Sequence, residues 1–342
     1  MRSAVILGGL FPLAVSVHAA LDWQALPALP DREGFAGSYA GESRGVLIVA
    51  GGANFPDKRP WEGGTKTWYD RVFLLEAGAT SWSESGHLPC AAGYGASVQL
   101  DDGVLLIGGG DAQRNFSTVW LARVDRGQVN FEPWPALPRP LAMTTGVRVG
   151  RIVYVAGGID QPDAVQAQNV FYALDLDHVR AGWRELAPWP GPGRILATAG
   201  TQDGEFFLFS GAQLTTGRDG KSVREWLRDA YRYAPTKGWK RIADLPRVAV
   251  AAPSPTVVVD GKLVVIGGDD GLQVNVAPTA HRGFPRDVLA YDVAANAWIR
   301  TGEVPFSLVT TPLAIWRNQI VVSGGEQRPG VRSPAVWAAR LK

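Results

Sequence analysis

Cysteine is almost absent from this 342-residue chain: Cys90 stands alone. It can close no internal disulfide, so an oxidising compartment neither helps nor harms the fold. Histidine is nearly as scarce. Beyond residue 19 only His87, His178 and His281 occur, far apart from one another. A copper oxidase centre built from two His, two Tyr and a Tyr-linked Cys is therefore excluded, and no serine has a histidine base to point to. No G-x-x-x-x-G-K-[ST] phosphate loop is present. Charge of one sign is also missing: the formal net charge is +2, with no basic run or stripe. That argues against nucleic acid as a partner. After residue 19 no segment is long and apolar enough to cross a bilayer.

The first residues stand apart from the rest. Arg2 and Ser3 precede the apolar stretch AVILGGLFPLAVSV, which ends at Val17-His18-Ala19. Length, charge and the small residues at −3 and −1 predict a signal peptide over 1–19, cleaved near Ala19, and a periplasmic or secreted protein. The remainder, 20–342, reads as one domain.

What the chain has in abundance is glycine and tryptophan, 41 and 13 residues, and they recur in register. Small-residue pairs close six apolar runs: Gly51-Gly52, Gly108-Gly109, Gly157-Gly158, Ser210-Gly211, Gly267-Gly268 and Gly324-Gly325. Their second glycines lie 57, 49, 53, 57 and 57 residues apart. An aromatic is followed seven residues later by proline at Trp23/Pro30, Trp82/Pro89, Phe131/Pro138, Trp183/Pro190, Trp239/Pro246 and Trp298/Pro305. A period near 50 residues with this content predicts an all-β fold, a six-bladed kelch-type β-propeller. Each blade has four strands in an up-and-down meander, a to d from the axis outward. In the fifth unit strand a is expected over 249–259. The double glycine ends strand b, by close backbone approach or by φ > 0, and the aromatic starts strand d.

The last unit runs out of chain before its strand d. Leu21 to Pro30 has the strand-d pattern and no blade before it. The N-terminal strand should therefore complete the last blade and close the ring.

Strand alternation puts the b–c loops and the d–a loops on one face. The b–c loops are long and polar, at 53–69, 110–118, 159–168, 212–228, 269–286 and 326–334. Turns on the opposite face are short, as at Asp203-Gly204. Function is expected on the long-loop face. The second residue after the small pair is always Asp, Asn or Gln (Asn54, Asp111, Asp160, Gln213, Asp270, Gln327), which fits loop capping. The first residue is small or apolar in four units, but Asp269 and Glu326 in the last two. These two acids break the repeat and are candidate functional groups. A tight turn at Pro329-Gly330 would fold Arg332 back beside Glu326. Such a pair is either a loop-stabilising ion pair or a proton-shuttling acid beside an anion-holding guanidinium. Arg139, Arg194 and Arg247 follow the aromatic/proline units on the same face. Each is either a carboxylate binder or a partner for a loop acid. The loop 54–70, with Lys58, Arg59, Trp61, Lys66 and Trp68, is a candidate lid.

The segment Gly325-Glu326-Gln327-Arg328-Pro329-Gly330-Val331-Arg332-Ser333 resembles the G-E-x-K-P-G-x-R-T loop of the N-acetylneuraminate epimerases, also called sialic acid mutarotases. Gly34-Phe35-Ala36-Gly37 followed by Leu47 to Ala53 is similar to theirs as well. The resemblance covers essentially the whole mature chain, but in rotated order. The Glu/Arg loop sits here in the last blade rather than mid-chain, as in a circularly permuted branch. The resemblance implies an isomerase that interconverts the α and β anomers of N-acetylneuraminate and needs no cofactor. It implies Glu326 and Arg332 as catalytic residues, with Arg328 in place of the family's Lys. Substrate-binding candidates are then Arg194, Arg139, Asp269 and Arg328, and the partner is a small acidic sugar. The shorter 269–287 loop departs from the family pattern. A non-catalytic kelch module that binds protein or sugar, or a mutarotase for another acidic sugar, is the alternative.

Overall fold

The computed structural model describes residues 21–341. The expected signal peptide at 1–19 lies outside the described residues. Six four-stranded antiparallel sheets make up the chain. Blade 1 is typical: Tyr39–Ser43, Val46–Ala50, Arg71–Leu75 and Ser83–His87 form strands a to d. The inner strands of successive blades touch around an axis, and a parallel bridge Ser254↔Pro312 joins blade 5 to blade 6. This is a six-bladed β-propeller, as the repeat predicts.

Ring closure follows the expected route. Blade 6 contains Leu313–Trp316, Gln319–Ser323 and Val336–Arg340. Its outermost strand is Trp23–Leu26, paired antiparallel with Val336 to Ala339. Both chain ends thus share one sheet, and the outer edge of the last blade is covered.

A single blade is apolar on both faces, so its neighbours must cover it. Between blades 2 and 3, Leu105, Ile107 and Leu121 pack with Val153, Val155 and Leu174, all fully buried. The tryptophans add a periodic tie. The Nε1–H of Trp82, Trp183, Trp239 and Trp298 donates to Pro27, Pro135, Ala187 and Ala243 at 2.7, 2.8, 2.8 and 2.9 Å. Each acceptor lies four residues after the repeat aromatic of the preceding blade. Phe131 has no N–H to give. There Ser85 takes over, accepting from Val129 N–H at 3.1 Å and donating to Gly127 at 3.3 Å.

The double glycines end strand b for both of the expected reasons. Gly51 and Gly52 have φ of 64° and 94°. A Cβ on Gly51 would lie 2.4 Å from the Ala92 carbonyl oxygen. In blade 4 the first position is Ser210, which keeps φ at 55°. Its hydroxyl donates to Leu227 at 2.9 Å and accepts from Ala249 N–H at 2.8 Å.

One boundary differs from expectation. The inner strand of blade 5 is only Val257–Val259, not 249–259. Residues 249–256 follow the axis instead as the incoming d–a segment. Val250 bridges Asp269 there, and Thr256 N–H bonds the Ala199 carbonyl of blade 4 at 2.7 Å.

Candidate active site

The face that carries the b–c loops is organised by a backbone feature repeated in all six blades. The first residue after each small pair forms a β-bridge with the incoming d–a segment: Ala36↔Ala53, Gly93↔Gly110, Ala142↔Ile159, Ile195↔Ala212, Val250↔Asp269 and Val309↔Glu326. The next residue in each d–a segment is Gly37, Tyr94, Met143, Leu196, Ala251 or Thr310. All six have positive φ, between 53° and 70°. Their backbones hydrogen-bond in a closed circle. Tyr94 N–H donates to Gly37, Met143 to Tyr94, Leu196 to Met143, Ala251 to Leu196, Thr310 to Ala251 and Gly37 to Thr310, at 2.6 to 2.9 Å. The left-handed conformation is costly for side chains other than glycine, above all for β-branched Thr310. Such strain concentrates where a scaffold positions function. The circle rims an axial cavity of about 60 Å³, further lined by Ser38, Ser97, Thr144, Thr145, Ser254 and Thr311.

Glu326 and Arg332 meet at this circle. Glu326–Arg328 and Val331–Arg332 form a small hairpin with Glu326 paired to Arg332. Gly330, at φ 78°, makes the turn. Arg332 Nη1 donates to Glu326 Oε1 at 2.5 Å, and Gly330 N–H donates to the same oxygen at 2.6 Å. Oε2 accepts no hydrogen bond among the described residues. The Glu326 side chain is 19% exposed.

Arg332 is enclosed. Its side chain is 5% exposed. Phe55 stacks on the guanidinium at 5.0 Å, Nε points at the Ala53 carbonyl at 3.4 Å, and Nη2 faces Tyr94 Oη at 3.4 Å. Burial opposes its charge, but Tyr94 and Glu326 outweigh that and hold its pKa above the ordinary arginine value. The expectation that Arg332 anchors a substrate carboxylate thus meets a physical obstacle: its donors already face protein atoms. Its geometry suits holding Glu326 oriented.

Tyr94, Lys66, Phe55 and Trp68 complete the cluster. The Tyr94 ring packs on Gly37, where a Cβ would come within 2.8 Å of it. Lys66 Nζ sits over the Tyr94 ring at 4.0 Å and over Trp68 at 4.5 Å. The loop expected as a lid is a hairpin, Ala53–Asn54 paired with Thr67–Trp68, that carries a short 3₁₀ turn Pro60–Glu62. That turn rests against Gly330, where a Cβ would lie 2.8 Å from Pro60.

The other arginines lie elsewhere. Arg194 was a carboxylate-binding candidate, but its side chain is wholly buried. It makes a two-pronged pair with Asp229 at 3.0 and 2.8 Å and donates to Ser210 at 2.8 Å. Tyr231 donates to the same carboxylate at 2.7 Å. Burial raises the Asp229 pKa, but the Arg194 and Tyr231 contacts overcome it and leave it below the usual carboxylate range. Burial and Asp229 push Tyr231 up to about 12. Arg247 is clamped on Asp287 and the Gly267 carbonyl. Arg139 donates to Gln168 at 3.1 Å, two blades away from Glu326. Arg328 borders a separate cavity with His281, Phe306 and Trp337. Asp269 occupies the blade-5 equivalent of Glu326, where Oδ1 accepts from Gly271 N–H at 2.9 Å. Of the expected substrate-binding set, only Asp269 shares the inner bridge position of Glu326. The capping expectation holds at Asp111, which accepts from Gln113 and Arg114 N–H, and at Asp270, which accepts from Leu272 N–H.

The two segments that carried the family resemblance, about 290 residues apart, meet in space. Gly325 N–H donates to Phe35 at 2.6 Å. A Cβ on Gly34 would lie 2.0 Å from the Ser333 carbonyl oxygen, so only glycine fits.

Comparisons with known proteins agree. The family described as "N-acetylneuraminate epimerase" matches residues 14–130 and 134–275. The N-acetylneuraminate epimerase of Yersinia enterocolitica serotype O:8 is 31% identical over 241 residues, 62% of this chain and 59% of that protein. The one from Haemophilus influenzae strain 86-028NP is 28% identical over 230 residues, 60% of this chain and 58% of that protein. The chain thus spans under two thirds of these relatives' length. The solved structure of YjhT superposes with a TM-score of 0.64 at 16% identity, covering 90% of this chain and 95% of that one, which speaks to the fold. With the family matched over most of its residues, this chain is a member of the N-acetylneuraminate epimerase family.

Proposed function

We propose that this protein is a mutarotase that interconverts the α and β anomers of N-acetylneuraminate, with Glu326 as the proton carrier. The observation that carries this reading is the Glu326 carboxylate. One oxygen is held by Arg332 and the Gly330 N–H, and the other accepts no hydrogen bond among the described residues.

Anomerisation of a cyclic hemiketal needs two coupled proton movements. A base takes the proton from the anomeric hydroxyl as the bond between the anomeric carbon and the ring oxygen breaks. The ring oxygen takes up a proton, and the open keto form results. Rotation about the adjoining bond and closure in the reverse sense give the other anomer, and the proton count is restored. Oε2 of Glu326 can accept the first proton and return it. Arg332 fixes the direction of the carboxylate. Phe55, Trp68 and Tyr94 offer apolar faces beside it.

The test is NMR of the α–β exchange of N-acetylneuraminate with purified protein. Wild type should accelerate the exchange. Glu326→Gln, which keeps shape and loses the base, should lower the rate constant by about 10²- to 10⁴-fold, the usual contribution of a positioned acid–base group. An exchange rate identical with and without wild-type protein would refute the activity. Full activity in Glu326→Gln would refute only the role.

We also propose, on residues 1–19 alone, that the protein is exported. N-terminal sequencing of protein recovered from the cell envelope should begin at Ala20, and a start at Met1 would count against export.

A further inference from the structure

We propose that Lys66 is the group that binds the carboxylate of the acidic sugar, an inference that rests on the mutarotase reading above. A substrate with a carboxylate on its anomeric carbon brings a second negative charge close to Glu326. Two like charges at such range disfavour each other unless a cation lies between or beside them. Arg332 is enclosed and already bound to Glu326. Arg59 is paired with Glu33 at 2.5 Å, Arg71 with Glu84, Arg194 with Asp229 and Arg247 with Asp287.

Lys66 is different in three respects. It has no acidic partner within ion-pair distance among the described residues. Its ammonium is held between two aromatic faces, Tyr94 at 4.0 Å and Trp68 at 4.5 Å. Aromatic faces position a cation without neutralising its charge. Tyr94 in turn contacts Arg332 and sits on the axial backbone circle, and Arg332 holds Glu326, so the ammonium is tied to the carboxylate through two intermediate side chains. Lys58 lies on the same hairpin but is exposed and has no aromatic seat. Lys66 on one side and Glu326 on the other would bracket the anomeric carbon, one holding its carboxylate and one moving its hydroxyl proton.

Lys66→Gln and Lys66→Arg isolate the charge, with Lys58→Met as the control on the same hairpin. Binding and anomer exchange are measured for N-acetylneuraminate and for its methyl ester, which is neutral at that group. Wild type should prefer the acid over the ester about ten- to a hundred-fold in binding, the range for a hydrogen bond to a charged group. Lys66→Gln should abolish the preference by weakening acid binding and sparing the ester. Lys66→Arg should restore most of it, and Lys58→Met should match wild type. An undiminished preference in Lys66→Gln overturns the proposal, even if exchange is catalysed. A preference that depends on Lys66 without accelerated exchange upholds the carboxylate site and refutes the mutarotase reading instead. Matched melting temperatures show that the binding changes are local.

Discussion

At the scale of single residues, repeat symmetry separates function from support. Glu326 stood out in the sequence because four other units hold a small or apolar residue at that position. Tyr94 and Lys66 did not. The six circle positions hold Gly, Tyr, Met, Leu, Ala and Thr, and a position with no common residue gives no norm to break. Arg194 and Arg247 read as ligand-seeking cations because their partners, Asp229 and Asp287, lie 35 and 40 residues away. Replacing Asp229 with Asn should cost about 3–5 kcal/mol at neutral pH, because it strands a buried guanidinium. The Asp229 pKa is depressed in the folded chain, so its contribution is complete above the unfolded carboxyl value of about 3.9 and fades as pH falls below it. Urea melts of wild type and Asp229→Asn should therefore converge toward acid, whereas a constant gap would contradict this. Gly37 offers a second test. Ala251 shows that the circle tolerates a Cβ at the same φ, so the cost of Gly37→Ala should come chiefly from the Tyr94 ring. The double variant with Tyr94→Ala should be more stable than the two single losses added together, measured as a coupling energy.

At the scale of the strand and its ties, the sequence marks the elements well and their edges poorly. The small pairs mark the end of every strand b, because the chain there takes positive φ and approaches neighbouring backbone closely, which favours glycine and in blade 4 admits Ser210 at the first position. The inner strand of blade 5 shrank to three residues. Its expected first half leaves the ladder to bridge Asp269 and to join the axial circle, a tertiary demand that composition does not reveal. The tryptophan ties were only half legible: the period was visible, the acceptor was not. Trp183→Phe should remove the bond to Pro135 while keeping a ring that Phe131 shows to be acceptable at this repeat position. About 1 kcal/mol of stability should be lost, read as a shift in the denaturation midpoint. An unchanged midpoint would mean the indole N–H contributes nothing between blades.

At the scale of the whole molecule, closure rests on a short strand. Trp23 to Leu26 covers the edge of Val336 to Arg340, and Trp23 meets Phe306 edge to face at 5.0 Å. Removing residues 21–30 should lower the melting temperature and expose blade 6 to proteolysis, and an unshifted melt would argue that the ring holds without it. The family match stops at residue 275, before the Glu326 loop, while the structural superposition covers 90% of the chain.

The axial circle has one more implication. All of its fasteners are main-chain groups, so none depends on which side chain a blade contributes. Six seats around one hub can be refitted singly while the hub stays intact. A change of ligand would then require new occupants at 94, 143, 196 or 310 rather than a new frame.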